Sequence, residues 1–232
     1  MKLILNGGGD GKAAESARQL LNSVINHSRK ILYIPLAWPD PTYRGCLEFM
    51  TDELSDVEKA GIEMIRSTEE LMSRDFSEYA ALYIGGGNTY KLLHDLNASG
   101  ASENIRRFIE RDGVVFGGSA GAIIFGKSLD ACAPDDENIY GELSPGGFDV
   151  LDGISLFCHY GSHTEQENKQ REVFLKELSL REKIIALPEE DTIFINGDKT
   201  EIIGTRPYFI FDKGTRQGYQ PGEYVFTQRT DS

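Results

Sequence analysis

The chain has 232 residues and a formal net charge of −13, with 40% hydrophobic and 26% charged residues. That balance suits a folded globular protein with a sizeable core and excludes a disordered chain. So negative a field, with no lysine- or arginine-rich block, repels nucleic-acid phosphates and anionic membrane surfaces, so neither is expected as a partner.

In chain order, Lys2 to Leu5 read as a buried strand that breaks at NGGGDG, and Lys12 to His27 follow with helical spacing at Ala13, Ala17, Leu20, Leu21 and Val24. The grammar repeats. KILYIPL is strand-like, RGCLEFMTDEL helical, IEMI a short strand, and STEELMS opens with the Ser-x-x-Glu of a capping box. AALYIGGGNTYKLLHDL is a further strand, glycine turn and helix, followed by a helix around Glu103 to Arg111 and a strand over Val114 to Phe116. Strands alternating with helices predict an α/β fold, a three-layer sandwich around a mainly parallel sheet. A long helix is expected over Thr164 to Glu182. The last strands, DTIFI, TEIIG, PYFIF and EYVFT, are separated by NGD and by Gly- or Pro-containing segments, which predicts antiparallel hairpins extending one sheet edge. With no repeat, low-complexity tract or long linker, residues 1–232 read as a single domain.

Cys46, Cys132 and Cys158 lie far apart with no CxxC, which suggests neither a zinc site nor a disulfide framework. Met1 to Leu5 holds too few apolar residues for a signal peptide's hydrophobic region, and no run approaches the roughly 20 residues a bilayer span needs. The expectation is a cytoplasmic protein without metal or cofactor. NGGGDGKA lacks both G-x-G-x-x-G spacing and a Walker-type G-K-[ST], so no nucleotide site is inferred.

Gly117-Gly118-Ser119-Ala120-Gly121 fits G-x-S-x-G, in which a sharp strand-to-helix turn lifts a serine out of the sheet. The alternative is a glycine-rich helix entry with Ser119 as N-cap. As a nucleophile, Ser119 needs a base and a group to orient that base. Of four histidines, His27 and His94 suit helix or surface roles. His159, closing the apolar run ISLFCHY, is the expected base; His163, paired with Glu165, is the rival. The acidic segment between serine and histidine offers Asp135, Asp136 or Glu137 as the orienting carboxylate. The second glycine turn, YIGGGNTY, could present the amides of Gly86 and Gly87 to the oxygen that Ala120 would also bind, forming an oxyanion hole.

LILNGGGDG, ALYIGGGNTYKLL, GGSAGA and the strand ending in His159-Tyr160 come in an order and at separations that resemble the peptidase E and cyanophycinase group of serine peptidases, family S51. The resemblance covers most of residues 1 to 190. It implies a flavodoxin-like fold akin to class I glutamine amidotransferase domains, no metal or cofactor, and hydrolysis of short peptides beginning with aspartate. Carried across, Ser119 matches the nucleophile, His159 the base, Gly86, Gly87 and Ala120 the oxyanion region, and Asp136 is the nearest match to the third member. An aspartate-first substrate would need a cation, with Arg171 and Arg206 as candidates. The implied partner is a small peptide, and a homodimer is compatible with the sequence. The reading outside catalysis is a small-molecule binding or regulatory module on the same fold.

Overall fold

Short runs, most of them apolar, become the strands of a mixed α/β architecture. The computed structural model describes residues 1–57 and 59–222. Its first half alternates β1 (Lys2–Asn6), α1 (Glu15–Val24), β2 (Ile31–Ile34), α2 (Cys46–Glu53), β3 (Ile62–Met64), α3 (Thr68–Met72), β4 (Ala81–Ile84), α4 (Thr89–Ser99), α5 (Ala101–Glu110) and β5 (Val114–Gly118). After the short α6 (Ala120–Ile123) come β6 (Ile154–Phe157), α7 (Glu165–Leu178), β7 (Lys183–Ala186), β8 (Thr192–Asn196), β9 (Lys199–Ile203), β10 (Tyr208–Asp212) and β11 (Thr215–Tyr219).

The main sheet runs β3-β2-β4-β5-β1-β8-β9. Its first five strands pair in parallel, whereas β8 and β9 add antiparallel beside β1. Leu3, Ile4, Leu5, Leu32, Ile34, Leu82, Ile84 and Val115 are fully buried. Consecutive rather than alternating burial is what a parallel sheet covered on both faces demands.

Three expectations need correction. The C-terminal strands do not all extend one sheet edge: β8 and β9 do, but β10 and β11 join β7 and β6 in a second sheet, ordered β11-β10-β7-β6. The helix expected to run to Glu182 stops at Leu178, where the chain turns through Ser179 towards β7. The helix expected over Lys12 to His27 is confined to Glu15–Val24. The strand expected at EYVFT (223–227) lies outside the described residues. At STEELMS, Ser67 Oγ accepts from Glu70 N, while the Glu70 carboxylate reaches Arg66 N rather than that of the cap itself.

One contiguous cluster of buried side chains draws on both sheets, including Leu5, Phe116, Leu156, Ile185 and Tyr208. Among the described residues, no helix is long and apolar enough to cross a membrane. Because β4, β5 and β1 are parallel neighbours, the turns after their carboxyl ends lie side by side, where ligands bind in such sheets. The second sheet meets them there: His159, two residues beyond β6, donates its N–H to the Gly7 carbonyl at 2.8 Å.

Candidate active site

Ser119 follows β5 with φ 51°, ψ −115°. A non-glycine residue held at positive φ costs about 1–3 kcal/mol and persists only where its surroundings impose it. The glycines on either side are what impose it. A Cβ at Gly117 would collide with the Gly121 carbonyl, and a Cβ at Gly121 with the Ile84 carbonyl, so strand and helix can approach this closely only without side chains. The Ser119 carbonyl accepts the amides of Ala122 and Ile123 at 2.8 and 2.9 Å, yet its hydroxyl makes no capping bond. Instead Oγ lies 2.9 Å from His159 Nε2.

His159 also has a positive φ, 55°. Its Nδ1 lies 2.8 Å from Glu189 Oε1. An ionised carboxylate only accepts, so Nδ1 carries the proton and Nε2 is left as the acceptor for the serine hydroxyl. Such a relay can take a proton from Oγ as that oxygen attacks an electrophile.

The carboxylate that meets the His159 ring is Glu189, and none of the expected Asp136, Asp135 or Glu137 does so. Asp136 accepts the amide of Thr89 at 2.9 Å, where burial raises its pKa against that bond. Asp135 is held by Arg171, whose Nε lies 2.8 Å from Oδ1 and whose Nη2 bonds the same oxygen. Glu137 contributes its backbone carbonyl to Asn88 Nδ2 at 2.9 Å. The rival base, His163, directs Nε2 towards Asp135 at 3.6 Å, and Glu165 pairs with Lys169 on the exposed face of α7.

Glu189 sits between β7 and β8, in a loop tied to the amino-terminal glycine turn. Asn6, almost fully buried, points Nδ2 at the carbonyls of Glu189 and Asp191 (3.3 and 3.4 Å) and at Thr192 Oγ1 (3.2 Å), and its Oδ1 accepts from Gly8 N at 2.9 Å. Side chains at Gly7 or Gly8 would strike the Pro188 carbonyl or the His159 ring, and one at Gly9 would meet the Glu189 carbonyl. NGGGDG is therefore the seat of the imidazole and its carboxylate.

Gly86 approaches Ser119 so closely that a Cβ there would lie 3.2 Å from the serine Cβ, and Gly87, at φ 136°, lines the same cleft. Among the described residues, the amides of Gly86, Gly87 and Ala120 find no protein acceptor. The cleft has a volume of about 470 Å³, with Ser119 and His159 beside Ile123, Phe157, Asp135 and Arg171. Cys132 and Cys158 also border it, but both are buried and burial pushes their pKa far up, so they remain thiols. Among the described residues, no three His, Cys, Asp or Glu side chains converge to hold a metal ion.

A strained serine beside an imidazole at the carboxyl edge of a parallel sheet is an arrangement of hydrolases, and the comparisons with known proteins make the class a peptidase. The chain belongs to peptidase family S51, whose model matches residues 3–203. It is 25% identical over 214 residues to the peptidase E of a Nostoc species, covering 88% of this chain and 86% of that protein. It is also 25% identical over 224 residues to the peptidase E of Salmonella paratyphi C, covering 91% and 93%. The crystal structure of a peptidase from an acI-B1 Actinobacterium shares the fold, with a TM-score of 0.69 at 18% identity over 97% of this chain and 96% of that one.

Proposed function

We propose that this peptidase is of the serine type and hydrolyses short peptides through an acyl-enzyme on Ser119. The observation that carries the reading is the 2.9 Å approach of a positive-φ serine hydroxyl to an imidazole whose far nitrogen is held by a carboxylate. Ser119 Oγ attacks the scissile carbonyl while its proton passes to His159 Nε2. Glu189 fixes the ring and stabilises the imidazolium. The amides of Gly86, Gly87 and Ala120 receive the oxyanion. The tetrahedral adduct collapses as His159 protonates the leaving amine, and water, deprotonated by the same ring, frees the acyl group. A cleft of about 470 Å³ suits a small ligand such as a peptide end. A purely binding role would leave the strained hydroxyl and its paired base without purpose.

Ser119→Ala should lower kcat by roughly 10⁴- to 10⁶-fold with an unchanged circular dichroism spectrum. A fluorophosphonate probe should label the wild-type chain at Ser119. A folded Ser119→Ala protein that cleaves peptides at the wild-type rate would overturn the assignment. The family resemblance would put aspartate first in the substrate, a preference that requires a free positive charge near Ser119.

A further inference from the structure

Positive charge gathers in this acidic chain at the opposite end of the main sheet from Ser119. A groove of about 530 Å³ opens at the amino ends of β1, β4 and β5, beside Lys2, Ala80 and Val114. From Val114, β5 runs to Ser119 over five residues of extended chain, about 16 Å, so the groove and the serine cleft are separate sites. Five cations border the groove: Lys2, Arg29, Arg74, Arg107 and Arg111. Two carboxylates, Asp75 and Asp112, stand against them. The whole chain carries −13, but with a Debye length of about 8 Å at physiological ionic strength the near charges decide what binds there. Three of the cations are engaged. Lys2 Nζ lies 2.6 Å from Asp112, Arg107 Nε 3.0 Å from Glu103, and Arg74 Nη2 3.2 Å from Glu63, which Lys30 also approaches at 3.7 Å. Arg29 and Arg111 differ. Arg29 Nη1 donates to the neutral Ser77 carbonyl at 2.6 Å. Among the described residues, Arg111 makes no hydrogen bond or ion pair. Asp75 gives Oδ1 to the Ser77 hydroxyl and amide at 2.7 and 2.9 Å, and its carboxyl is held below the usual range by those two bonds and, more weakly, by Arg111. Both guanidiniums therefore flank one short turn, residues 75–77.

We propose that this groove binds a small organic anion, which sets phosphate or carboxylate oxygens against Arg29 and Arg111 and a planar or apolar group against Phe108. The planar guanidinium fork matches both oxyanions, so the recognition chemistry is common to the two classes. Phe108 supplies the apolar wall. It is half-buried and packs edge-on against Phe76, with ring centroids 6.0 Å apart at 87°. Gly113 passes so close that a Cβ there would lie 2.5 Å from two carbons of the Phe108 ring, so only glycine lets the ring and the entry to β5 share this wall. The volume falls within the roughly 300–1,000 Å³ of small-ligand pockets. A bound dianion neutralises the two guanidiniums that no carboxylate pairs with, and none of these residues takes part in the reaction assigned to Ser119.

The test is calorimetric titration of the full chain, at physiological ionic strength, with phenyl phosphate, phthalate and benzyl alcohol. Phenyl phosphate, phthalate or both should bind with a Kd of about 1 mM or tighter, and whichever binds identifies the oxyanion class. Benzyl alcohol, which keeps the ring without the charge, should bind at least about tenfold more weakly. Arg29→Gln combined with Arg111→Gln should weaken the anion at least about tenfold with an unchanged circular dichroism spectrum. Arg171→Gln, in the Ser119 cleft, should leave the Kd where it was. Should the double variant fold poorly, Arg111→Gln alone, at an exposed position beyond α5, should weaken binding at least about threefold. The proposal is overturned if both anions bind more weakly than about 1 mM, or if benzyl alcohol binds as tightly as they do. It is equally overturned if the affinity survives loss of the groove arginines or is lost with Arg171.

Discussion

Position 189 meets the His159 ring, a contact that the order of residues conceals. Sequence order points to a carboxylate between Ser119 and His159, in the acidic run at 135–137, but the bond to His159 Nδ1 comes from a residue 30 positions further on. A signal was present: Glu189 closes an apolar run, Ile184 to Leu187, after Pro188, the same strand-end placement that singled out His159. The acidic run stands out by composition, but Asp136 bonds the Thr89 amide and Asp135 bonds Arg171. Ser119 and His159 were legible because each terminates a short apolar strand of an α/β pattern. If Glu189 orients the imidazole, Glu189→Gln keeps the shape but disturbs the tautomer, and kcat should fall by roughly 10²- to 10⁴-fold. Asp136→Asn, whose carboxylate bonds the Thr89 amide and not the ring, should leave kcat nearly intact. A larger kcat loss at Asp136 than at Glu189, measured on the same p-nitroanilide, would restore the sequence-based choice.

Elements were legible in proportion to their repetition. The alternation of strand and helix through β5 stands out because β1, β2, β4 and β5 are short, mostly apolar runs, three of them ending at glycines. The second sheet does not announce itself. β11, with the sequence TRQGY, is exposed along most of its length and has no apolar face to read, and β7 follows so closely on α7 that helix and strand patterns merge. The glycine turn after β1 was readable as a turn, but its purpose depends on residues about 150 to 180 positions away. Gly8, at φ 105°, lies where a Cβ would enter the His159 ring. Gly8→Ala should therefore displace the imidazole and lower kcat by about 10²-fold, since misplacing a reacting group by an ångström costs that much. Gly11, at φ 47° with open space around its Cβ position, is the control. Gly11→Ala should cost about 1–2 kcal/mol in urea unfolding, for the left-handed backbone alone, with kcat unchanged. Equal kcat losses in the two variants would show that backbone strain, and not contact with the ring, governs the turn.

At the scale of the whole molecule, Asp191 joins parts that are remote in sequence. Its carbonyl accepts the Gly7 amide at 2.9 Å, and its Oδ1 accepts the amides of Thr205 and Arg206 at 3.0 and 3.1 Å, linking the turn after β1 to the connection between β9 and β10. The residue is fully buried, and among the described residues Oδ2 has no partner. Burial pushes its pKa up to about 6 from 3.8, against the two amides that favour the charged form. The folded state therefore holds this proton more tightly than the unfolded chain. Stability contributed by the neutral acid is complete below about pH 4 and is lost as pH rises to about 6, a change of about 3 kcal/mol. Asp112, with its pKa lowered to about 2 by Lys2 and the amino terminus, has the opposite sign, and its window lies below that of Asp191. Asp136 shares the direction of Asp191, so the informative quantity is the difference between two chains. Asp191→Asn preserves the oxygen that accepts from Thr205 and Arg206 and removes the titration. Urea unfolding of the wild type should show a fall in stability between pH 4 and 6.5 that exceeds that of the variant by up to about 3 kcal/mol. Parallel profiles for the two proteins would mean that Asp191 titrates alike in the folded and unfolded chain, and the strain assigned to its burial would have to be withdrawn.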